Sequence, residues 1–340
     1  MAEETQKKID KKDLRILYEL DFNSRIPFSK LAKKVGLSQQ VTDYRVRSLL
    51  SEGVIRGFMA VIEIHKLGYF TFRIYMRLQN LTPKKELGVF NYLKNHPNCV
   101  WFITTSGRWD LEALFSCRNP VQFNNIIKRM KSDLGRHIRD YNLSASVVNY
   151  HFKRSYLVGA ERSPEGYFRY GFEPEIEELD DTEIRILSIL SKDARKSNVD
   201  IGKATGLTYN AVKNRIKNLE ERGILQGYRI LIELPKIGRK YYKALISLQG
   251  IDEKIERKMY NFCALDSRVT YIVEVMGEWD IEIEAEVSDE EEFRRILVDF
   301  RDQFGHYIRD YDVLRVYKEH KMDYFPMTKE LIDRIKCSKS

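Results

Sequence analysis

Residues 36–55 read GLSQQVTDYRVRSLLSEGVI, and residues 206–225 read GLTYNAVKNRIKNLEERGIL. Each stretch begins with a glycine, which can end a helix in a left-handed conformation. A serine or threonine follows two residues later and can cap the next helix, because its hydroxyl accepts from free backbone N–H groups. Apolar residues then recur at helical spacing, with Val46 and Leu49 matched by Ile216 and Leu219. Each stretch therefore predicts a turn followed by an amphipathic helix.

The two stretches belong to a tandem repeat whose copies are offset by 170 residues. The same offset, with no gap, pairs three further groups of residues: DKKDLRIL (10–17) with DDTEIRIL (180–187), Gly107, Trp109 and Asp110 with Gly277, Trp279 and Asp280, and IRDY (138–141) with IRDY (308–311). Agreement over this length indicates a duplication. We expect both halves to share one fold.

A helix-turn-helix pattern opens each half. Leu14, Leu17 and Leu20 lie on one helical face, and a second short helix separates them from the turn at Gly36. The second half repeats this arrangement. An extended stretch follows the third helix in each half, at 54–64 and 224–234.

The outer face of each third helix carries amide, guanidinium and ammonium groups. Such groups read base edges in the major groove of DNA and neutralise phosphates. The residues predicted to contact double-stranded DNA are Ser38, Gln39, Gln40, Asp43, Tyr44, Arg45 and Arg47 in the first half, and Thr208, Tyr209, Asn210, Lys213, Asn214, Arg215 and Lys217 in the second.

A solvated helix face is the alternative interpretation of these residues. Asp43 would repel a phosphate unless it accepts from a cytosine amine. The net charge is +4 over residues 1–60 and +2 over residues 178–230. We therefore expect each module alone to bind DNA weakly.

The remainder of each half predicts an α+β unit. In the first half, alternating residues from 69 to 78 indicate a strand, and a helix (83–95), two strands (99–106 and 110–117), a helix (121–134) and a final strand (138–150) follow. This order is that of a ferredoxin-like βαββαβ sandwich, with helices on one face of an antiparallel sheet. The other face must be buried, and packing against a second such sheet is the expected solution. The fold class is α+β, with two copies of a winged helix-turn-helix plus this sandwich.

The predicted domain boundaries follow from these patterns. Residues 153–178 read as a linker because they carry glycines, prolines and an acidic run, and the aromatic side chains among them indicate that the linker packs on the protein. Thr328 can cap a short helix in the tail. The predicted units are two helix-turn-helix domains (8–60 and 179–230), two effector or dimerisation domains (61–152 and 231–323), the linker (153–178) and a tail (324–340).

Composition narrows the class of protein. The chain has 340 residues, of which 43% are hydrophobic, so a wholly disordered chain is excluded. Its 58 basic and 50 acidic residues give a net charge of +8, which permits a nucleic-acid partner. The start MAEETQKKID has no apolar segment, and no run approaches a membrane span, so neither a signal peptide nor a membrane partner is expected. Four scattered cysteines favour a reducing cytoplasm over disulfides or zinc.

The combination of helix-turn-helix, hinge strand and sandwich with a Gly-x-Trp-Asp turn resembles the leucine-responsive/AsnC (Lrp/AsnC) family of transcription regulators. The resemblance covers nearly all of both halves and implies a DNA-binding regulator. Thr42 stands where the family usually has an aliphatic residue, which suggests a less tightly packed first module. Family members usually carry one copy and dimerise. We therefore expect an intramolecular pseudo-dimer, with higher homo-oligomers or an open cyclic chain of such units as alternatives.

The resemblance also implies a small effector, typically an amino acid, bound near the Gly-x-Trp-Asp turn. A carboxylate can approach a backbone without Cβ, and an aspartate can hold an ammonium group. The alternative is that these residues only make and cap the turn. The positions that match are Thr104, Thr105, Gly107 and Asp110, and Glu274, Gly277 and Asp280.

No enzyme motif stands out, and no cofactor or metal site is predicted. The sequence lacks a P-loop, a GxGxxG fingerprint, a G-x-S-x-G elbow and an HExxH pair. Enzymes resembling this family decarboxylate sirohaem on the same fold, and here Arg136, His137, Arg139 and His151 are the candidate pocket residues. An architectural DNA-binding protein without sequence preference is a third hypothesis.

Overall fold

The computed structural model describes residues 9–162, 167–171 and 175–337, and both repeats contain the same elements in the same order. The first repeat comprises α1 (Lys11–Asp21), α2 (Phe28–Val35), α3 (Gln39–Ser51), β1 (Ile55–Ile62), β2 (Phe70–Leu78), α4 (Pro83–Asn95), β3 (Cys99–Ser106), β4 (Leu111–Cys117), α5 (Pro120–Leu134) and β5 (Ile138–Phe152). A short strand, β6 (Tyr167–Gly171), lies between the repeats. The second repeat comprises α6 (Asp181–Lys192), α7 (Asn198–Thr205), α8 (Tyr209–Glu221), β7 (Leu225–Ile232), β8 (Lys240–Leu248), α9 (Glu253–Leu265), β9 (Val269–Met276), β10 (Ile281–Val287), α10 (Glu290–Phe304) and β11 (Ile308–Met322), and α11 (Lys329–Cys337) follows it.

The capping signals read from the sequence form the expected caps. Ser38 Oγ accepts from the backbone N–H of Val41 at 3.2 Å, and Thr208 Oγ1 accepts from that of Ala211 at 3.3 Å. Gly36 ends α2 with φ of +66°, in the left-handed region. The predicted turns and third helices are confirmed.

The surroundings of Thr42 differ from the expectation of a less tightly packed first module. Its side chain is fully buried, and Oγ1 donates to the Ser38 carbonyl at 2.9 Å. The hydroxyl thus finds a partner within its own helix, which removes the cost of burying it. Val46 and Leu49 beside it are also buried.

Eight strands from both repeats form one closed antiparallel ring in the order β2-β4-β3-β11-β8-β10-β9-β5, and β2 pairs with β5 to close it. The repeats join at two equivalent places, where β3 pairs with β11 and β5 with β9. The predicted βαββαβ order is confirmed in each half. The inner faces of the two sheets pack against each other, as the sequence predicted, with Tyr75 of the first repeat and Trp279 of the second in one buried cluster. The pairings at both edges, which the sequence did not predict, close the two sheets into a ring.

The helices α4, α5, α9 and α10 pack on the outside of the ring over two separate apolar cores. Alternation along β2 explains the arrangement, because Ile74 and Met76 belong to the core under α4 and α5, while Arg73 and Tyr75 belong to the ring interior. The inner face of the ring therefore carries polar side chains.

Five charged side chains form a buried network inside the ring. Lys243 Nζ lies 2.7 Å from Glu112, 2.9 Å from Glu282 and 3.0 Å from Glu284, and Arg73 contacts Glu112 and Glu282. Burial alone would raise the pKa of Glu282, but Arg73 and Lys243 lower it to about 2. Burial raises the pKa of Glu112 in spite of both cations. Three buried carboxylates thus share two buried cations.

A two-stranded ribbon links the two helix-turn-helix units. β1 and β7 pair antiparallel, and Met59 faces Arg229, its equivalent in the other repeat. This register places a pseudo-two-fold axis at the middle of the ribbon. The helix α1 packs against β7 and α6 against β1, so each unit rests on the strand of the other repeat.

The linker and the tail both pack on the repeats. Phe168 and Tyr170 of β6 are buried, as the aromatic content of the linker suggested. Thr328 Oγ1 accepts from the backbone N–H of Leu331 at 3.4 Å, which confirms the predicted cap of α11. Of the glycines, prolines, aromatic residues and acidic run that predicted the linker, Pro164, Gly166, Phe172, Glu173 and Pro174 lie outside the described residues. No helix of the described residues is long and apolar enough to cross a membrane.

Candidate nucleic-acid interface

The helices α3 and α8 bury one face and expose the other, as the sequence predicted. Tyr44 is 70% exposed and Tyr209 is 53% exposed, which is unusual for side chains of this size and leaves them open to a partner. Asp43, Arg45 and Arg215 are half-buried, and the remaining predicted positions are exposed: Ser38, Gln39, Gln40, Arg47, Thr208, Asn210, Lys213, Asn214 and Lys217.

Two arginines at the edge of these faces are bound within the protein. Arg45 Nη1 donates to Asp10 and to Asp13, both at 2.8 Å, and Arg215 donates to Asp180. Hydrogen bonds to Asp13 and Asp10 raise the pKa of Arg45. Each arginine thereby ties the third helix to the start of the first helix of its unit. A phosphate contact by either residue would replace these bonds.

The charges near the middle of each helix are paired only on the surface. Arg47 Nε lies 3.0 Å from Asp43, and Lys217 Nζ lies 2.9 Å from Glu221. Arg47 and Lys217 are 76% and 69% exposed, and solvent-exposed pairs of this kind contribute little stability. Both cations can therefore turn to a phosphate at small cost. Arg47 also offsets the charge of Asp43 that the sequence left unexplained.

The loops that precede α2 and α7 hold the two units together. Arg25 Nη1 donates to the Ala194 carbonyl at 2.5 Å, and Arg195 Nη1 donates to the Ser24 carbonyl at 2.6 Å. These reciprocal contacts join equivalent loops of the two repeats. Together with the β1–β7 ribbon, they hold α3 and α8 in one arrangement.

In the first repeat, the turn residues predicted to bind an effector contact the backbone. Asp110 Oδ2 accepts from the Leu78 N–H at 2.7 Å, and Thr105 Oγ1 donates to the Trp109 carbonyl at 2.7 Å. Thr104 Oγ1 lies 3.1 Å from His320 Nε2. The contacts of Asp110 and Thr105 fit the role of a turn and its cap, whereas that of Thr104 crosses to the other repeat.

Both turn glycines lie against the other repeat. A Cβ on Gly107 would come within 2.5 Å of the Val313 carbonyl oxygen, and one on Gly277 within 2.8 Å of Ser144 Cβ. Asp280 Oδ2 accepts from the Leu248 N–H at 2.6 Å, as Asp110 does in the first repeat. Burial raises the pKa of Glu274. The close approach between the repeats is thus one reason for glycine at these turns.

The structure separates the residues considered for sirohaem chemistry. Arg136, His137 and Arg139 lie at the start of β5 or just before it, and His151 lies near its end. At about 3.3 Å per residue, the strand places Arg139 and His151 roughly 40 Å apart. Of these four residues, only His151 lines an interior cavity. No cluster of ligands that could hold a metal ion is found among the described residues.

The polar residues around this cavity could not be identified from the sequence. Arg229 comes from the extended stretch after the third helix, and Arg154 and Tyr170 come from the linker. Their burial could not be read from local periodicity, because it depends on contacts between the repeats. The aromatic residues of the linker were the only signal.

Comparisons with known proteins agree with this geometry. A family described as winged helix-turn-helix DNA-binding matches residues 9–56 and 179–226. An uncharacterized helix-turn-helix-type transcriptional regulator of Pyrococcus furiosus is 33% identical over 120 residues, which are 35% of this chain and 80% of that protein. The helix-turn-helix-type transcriptional regulator LrpA of Pyrococcus horikoshii is 40% identical over 79 residues, 23% of this chain and 53% of LrpA.

Solved structures of one protein span both repeats. The siroheme decarboxylase NirDL superposes with a TM-score of 0.60, covering 97% of this chain and 100% of the other, at 15% identity. This likeness shows a shared fold. The curated relatives correspond in length to one repeat, whereas the winged helix-turn-helix match occurs twice. The chain belongs to the Lrp/AsnC family of helix-turn-helix transcription regulators and carries the family's unit twice.

Proposed function

We propose that this protein is a sequence-specific regulator of transcription whose helices α3 and α8 read two different half-sites of one DNA site. The observation that carries the proposal is the pair of capped helices with buried inner faces and exposed polar outer faces, joined by one ribbon. Recognition helices of this type enter the major groove, and a two-fold arrangement predicts half-sites at a fixed helical spacing.

The two half-sites differ because the two outer faces differ. α3 presents Gln39 and Gln40, whereas α8 presents Asn210 and Asn214 together with Lys213. Glutamine and asparagine both pair with adenine but reach the base from different distances, and lysine can pair with guanine. The target is therefore an imperfect palindrome.

Linkage of the two units raises the affinity of the whole chain. Each unit carries little net charge, so one unit alone binds weakly. Once one helix is seated, the second contact is intramolecular and occurs at a high effective concentration. The closed strand ring supports an intramolecular pseudo-dimer, in which one chain supplies both reading helices. Higher homo-oligomers of this unit would add further contacts.

Selection from a random pool of double-stranded DNA near physiological salt tests the proposal. We expect two different half-sites at one spacing to be enriched. The variant Arg47→Ala/Lys217→Ala should lose about tenfold or more in affinity, since it removes one exposed cation from each reading helix. The control Lys128→Ala/Arg295→Ala removes the same charge from α5 and α10, on the outside of the ring.

Two results would refute the assignment. Equal loss in both double variants would mean that general charge, not the reading helices, determines binding. Binding that is salt-sensitive but enriches no sequence would favour the architectural alternative.

The proposal extends to a small amino-acid-like effector at the Gly-x-Trp-Asp turns. Gly107 and Gly277 lie at the contact between the repeats, so a ligand there would act on the arrangement of the two halves. It can regulate only if it binds one arrangement better than another. Measuring DNA affinity with and without each amino acid tests this part, and equal affinities throughout would refute it.

A sirohaem decarboxylase is the second candidate, favoured by the shared fold over both repeats. Addition of sirohaem to the purified protein tests it by absorbance. A shifted spectrum with release of carbon dioxide would support the enzyme, and an unchanged spectrum would exclude it.

A further inference from the structure

A cavity of about 440 Å³ lies where the β1–β7 ribbon meets the strand ring. Its lining comes from β1 and β7, from the linker and from ring strands of both repeats. The volume falls within the usual range of small-molecule sites. At about 30 Å³ per water molecule it equals about fifteen waters, which suits a ligand of roughly 10–15 non-hydrogen atoms.

Four buried polar atoms of the lining have no hydrogen-bond partner among the described residues. They are His65 Nε2, Thr71 Oγ1, Tyr170 Oη and Arg229 Nε. Their side chains belong to residues that are at most 6% exposed. Native proteins rarely bury polar groups without partners, and a group of four around one cavity therefore points to a polar ligand.

The lining is rich in charged side chains. It includes eight lysine and arginine residues but five aspartate and glutamate residues. Asp21, behind the wall, binds both Arg154 and Arg229, and Glu286 binds Arg154, so these two arginines are already partly neutralised. Arg73 is likewise paired with Glu112 and Glu282, and Arg239 with Glu292, so the charges around the cavity are close to balance. The choice of an anion therefore rests on the unpartnered donors, Arg229 Nε and the Tyr170 hydroxyl.

Three arginines act on the imidazole of His151. Burial, followed by the charges of Arg229, Arg73 and Arg154, holds the pKa of His151 well below its usual range. The imidazole is therefore neutral and adds no charge of its own. An anion beside Arg229 would lie near these three arginines in a poorly hydrated site.

The rest of the wall suits an apolar or aromatic body. The His151 ring centroid lies 4.5 Å from that of Tyr170 and 4.4 Å from that of Tyr271, and Tyr324 stacks on Tyr170. Val273 and other aliphatic side chains complete the wall. Aromatic rings of this kind bury flat ligands well.

We propose that the cavity binds a small organic acid. The carboxylate accepts hydrogen bonds from Arg229 Nε and from the Tyr170 hydroxyl, and the apolar body lies against Tyr271 and Val273. The site differs from the Gly-x-Trp-Asp turns and from the DNA-reading faces, and ligand binding there does not depend on the function proposed above.

Calorimetric titration of the full chain tests the proposal with three acids and their neutral amides. The acids are phenylacetate, phenylpyruvate and 4-methylpentanoate, which have the predicted size. At least one acid should bind about tenfold or more tightly than its amide, since a hydrogen bond to a charged group is stronger than one to a neutral group. If no acid exceeds its amide, the proposal is wrong.

The variant Tyr170→Phe locates the binding. It removes only the unpartnered hydroxyl, so the fold should be retained, and the bound acid should lose about tenfold or more in affinity. The control Tyr260→Phe removes a phenol hydroxyl from outside the cavity wall and should leave the affinity unchanged. Equal affinity of the wild type and Tyr170→Phe would overturn the assignment. A second result would also overturn the assignment: the protein binds none of the acids but binds a tetrapyrrole, and Tyr170→Phe abolishes that binding while Tyr260→Phe does not.

Discussion

Replacing Lys243 by methionine should destabilise the ring strongly. Its ammonium group is fully buried and lies within 3.0 Å of Glu112, Glu282 and Glu284. Without it, Arg73 is the one cation of the network that remains among three carboxylates. Removing one partner of a buried ion pair typically costs about 3–5 kcal/mol, because the partner charges stay buried and unpaired. We expect a loss in this range at pH 7.5.

The loss should shrink as the pH falls. Burial already raises the pKa of Glu112 above its ordinary value of 4.5, and removal of Lys243 raises it further. The folded variant then binds more protons than the unfolded chain, so its stability decreases as pH rises from 4.5 through the folded pKa. Below that window the carboxyl is protonated in both states, and this part of the deficit disappears.

Urea unfolding and thermal unfolding, each followed by circular dichroism at pH 7.5 and pH 5.5, measure both effects. The melting temperature should fall by roughly 6–10 °C at pH 7.5, using about 2 °C per kcal/mol for a chain larger than 150–250 residues. The variant Glu112→Gln/Lys243→Met removes one carboxylate with the cation and should recover part of the loss. A deficit below 1 kcal/mol, or one that is equal at both pH values, would refute the argument that unpaired buried charge is the cause.

Two further predictions concern the contact between the repeats and the buried thiols. Gly107→Ala should cost about 1–3 kcal/mol in chemical unfolding, because its Cβ meets the Val313 carbonyl at a φ of +120°; the control Gly88→Ala, with nothing within 4 Å, should be neutral or stabilising, and equal effects would contradict the contact. Burial raises the pKa of Cys99 and of Cys117 to about 12, so neither thiol should react with a disulfide reagent at pH 8 in the native protein, whereas both should react in denaturant. Mass spectrometry of the labelled peptides checks this, and fast native labelling would show that the thiols are accessible.

The sequence predicted the helix-turn-helix units well because their signals are local. The cap at Ser38 involves residues three apart, and the buried face of α3 repeats every three to four residues. The same reasoning placed α4 at Pro83–Asn95 and β3 at Cys99–Ser106, and the structure has both with these bounds. The resemblance to the Lrp/AsnC family followed from the order of these elements and from their repetition.

The candidate site was predicted only in part. The exposed positions of α3 and α8 followed from helical spacing, but the pairing of Arg45 with Asp13 did not, because Asp13 reaches it from another helix. Thr42 also needed the structure, since its hydroxyl is satisfied by the Ser38 carbonyl in the first turn of α3. The DNA contacts and the effector positions stay predictions.

The sequence by itself determined the two-domain unit, its duplication and the outward faces of the reading helices, since each depends on residues close together in the chain or on comparison of the repeats. The tertiary structure alone decided how the repeats join. Alternating apolar residues bury one face of a strand equally in stacked sheets and in a closed ring, so the pattern could not choose between them. The pairing of β3 with β11 and of Met59 with Arg229 brings together residues far apart in sequence. The buried charges and the cavity exist only because of those pairings.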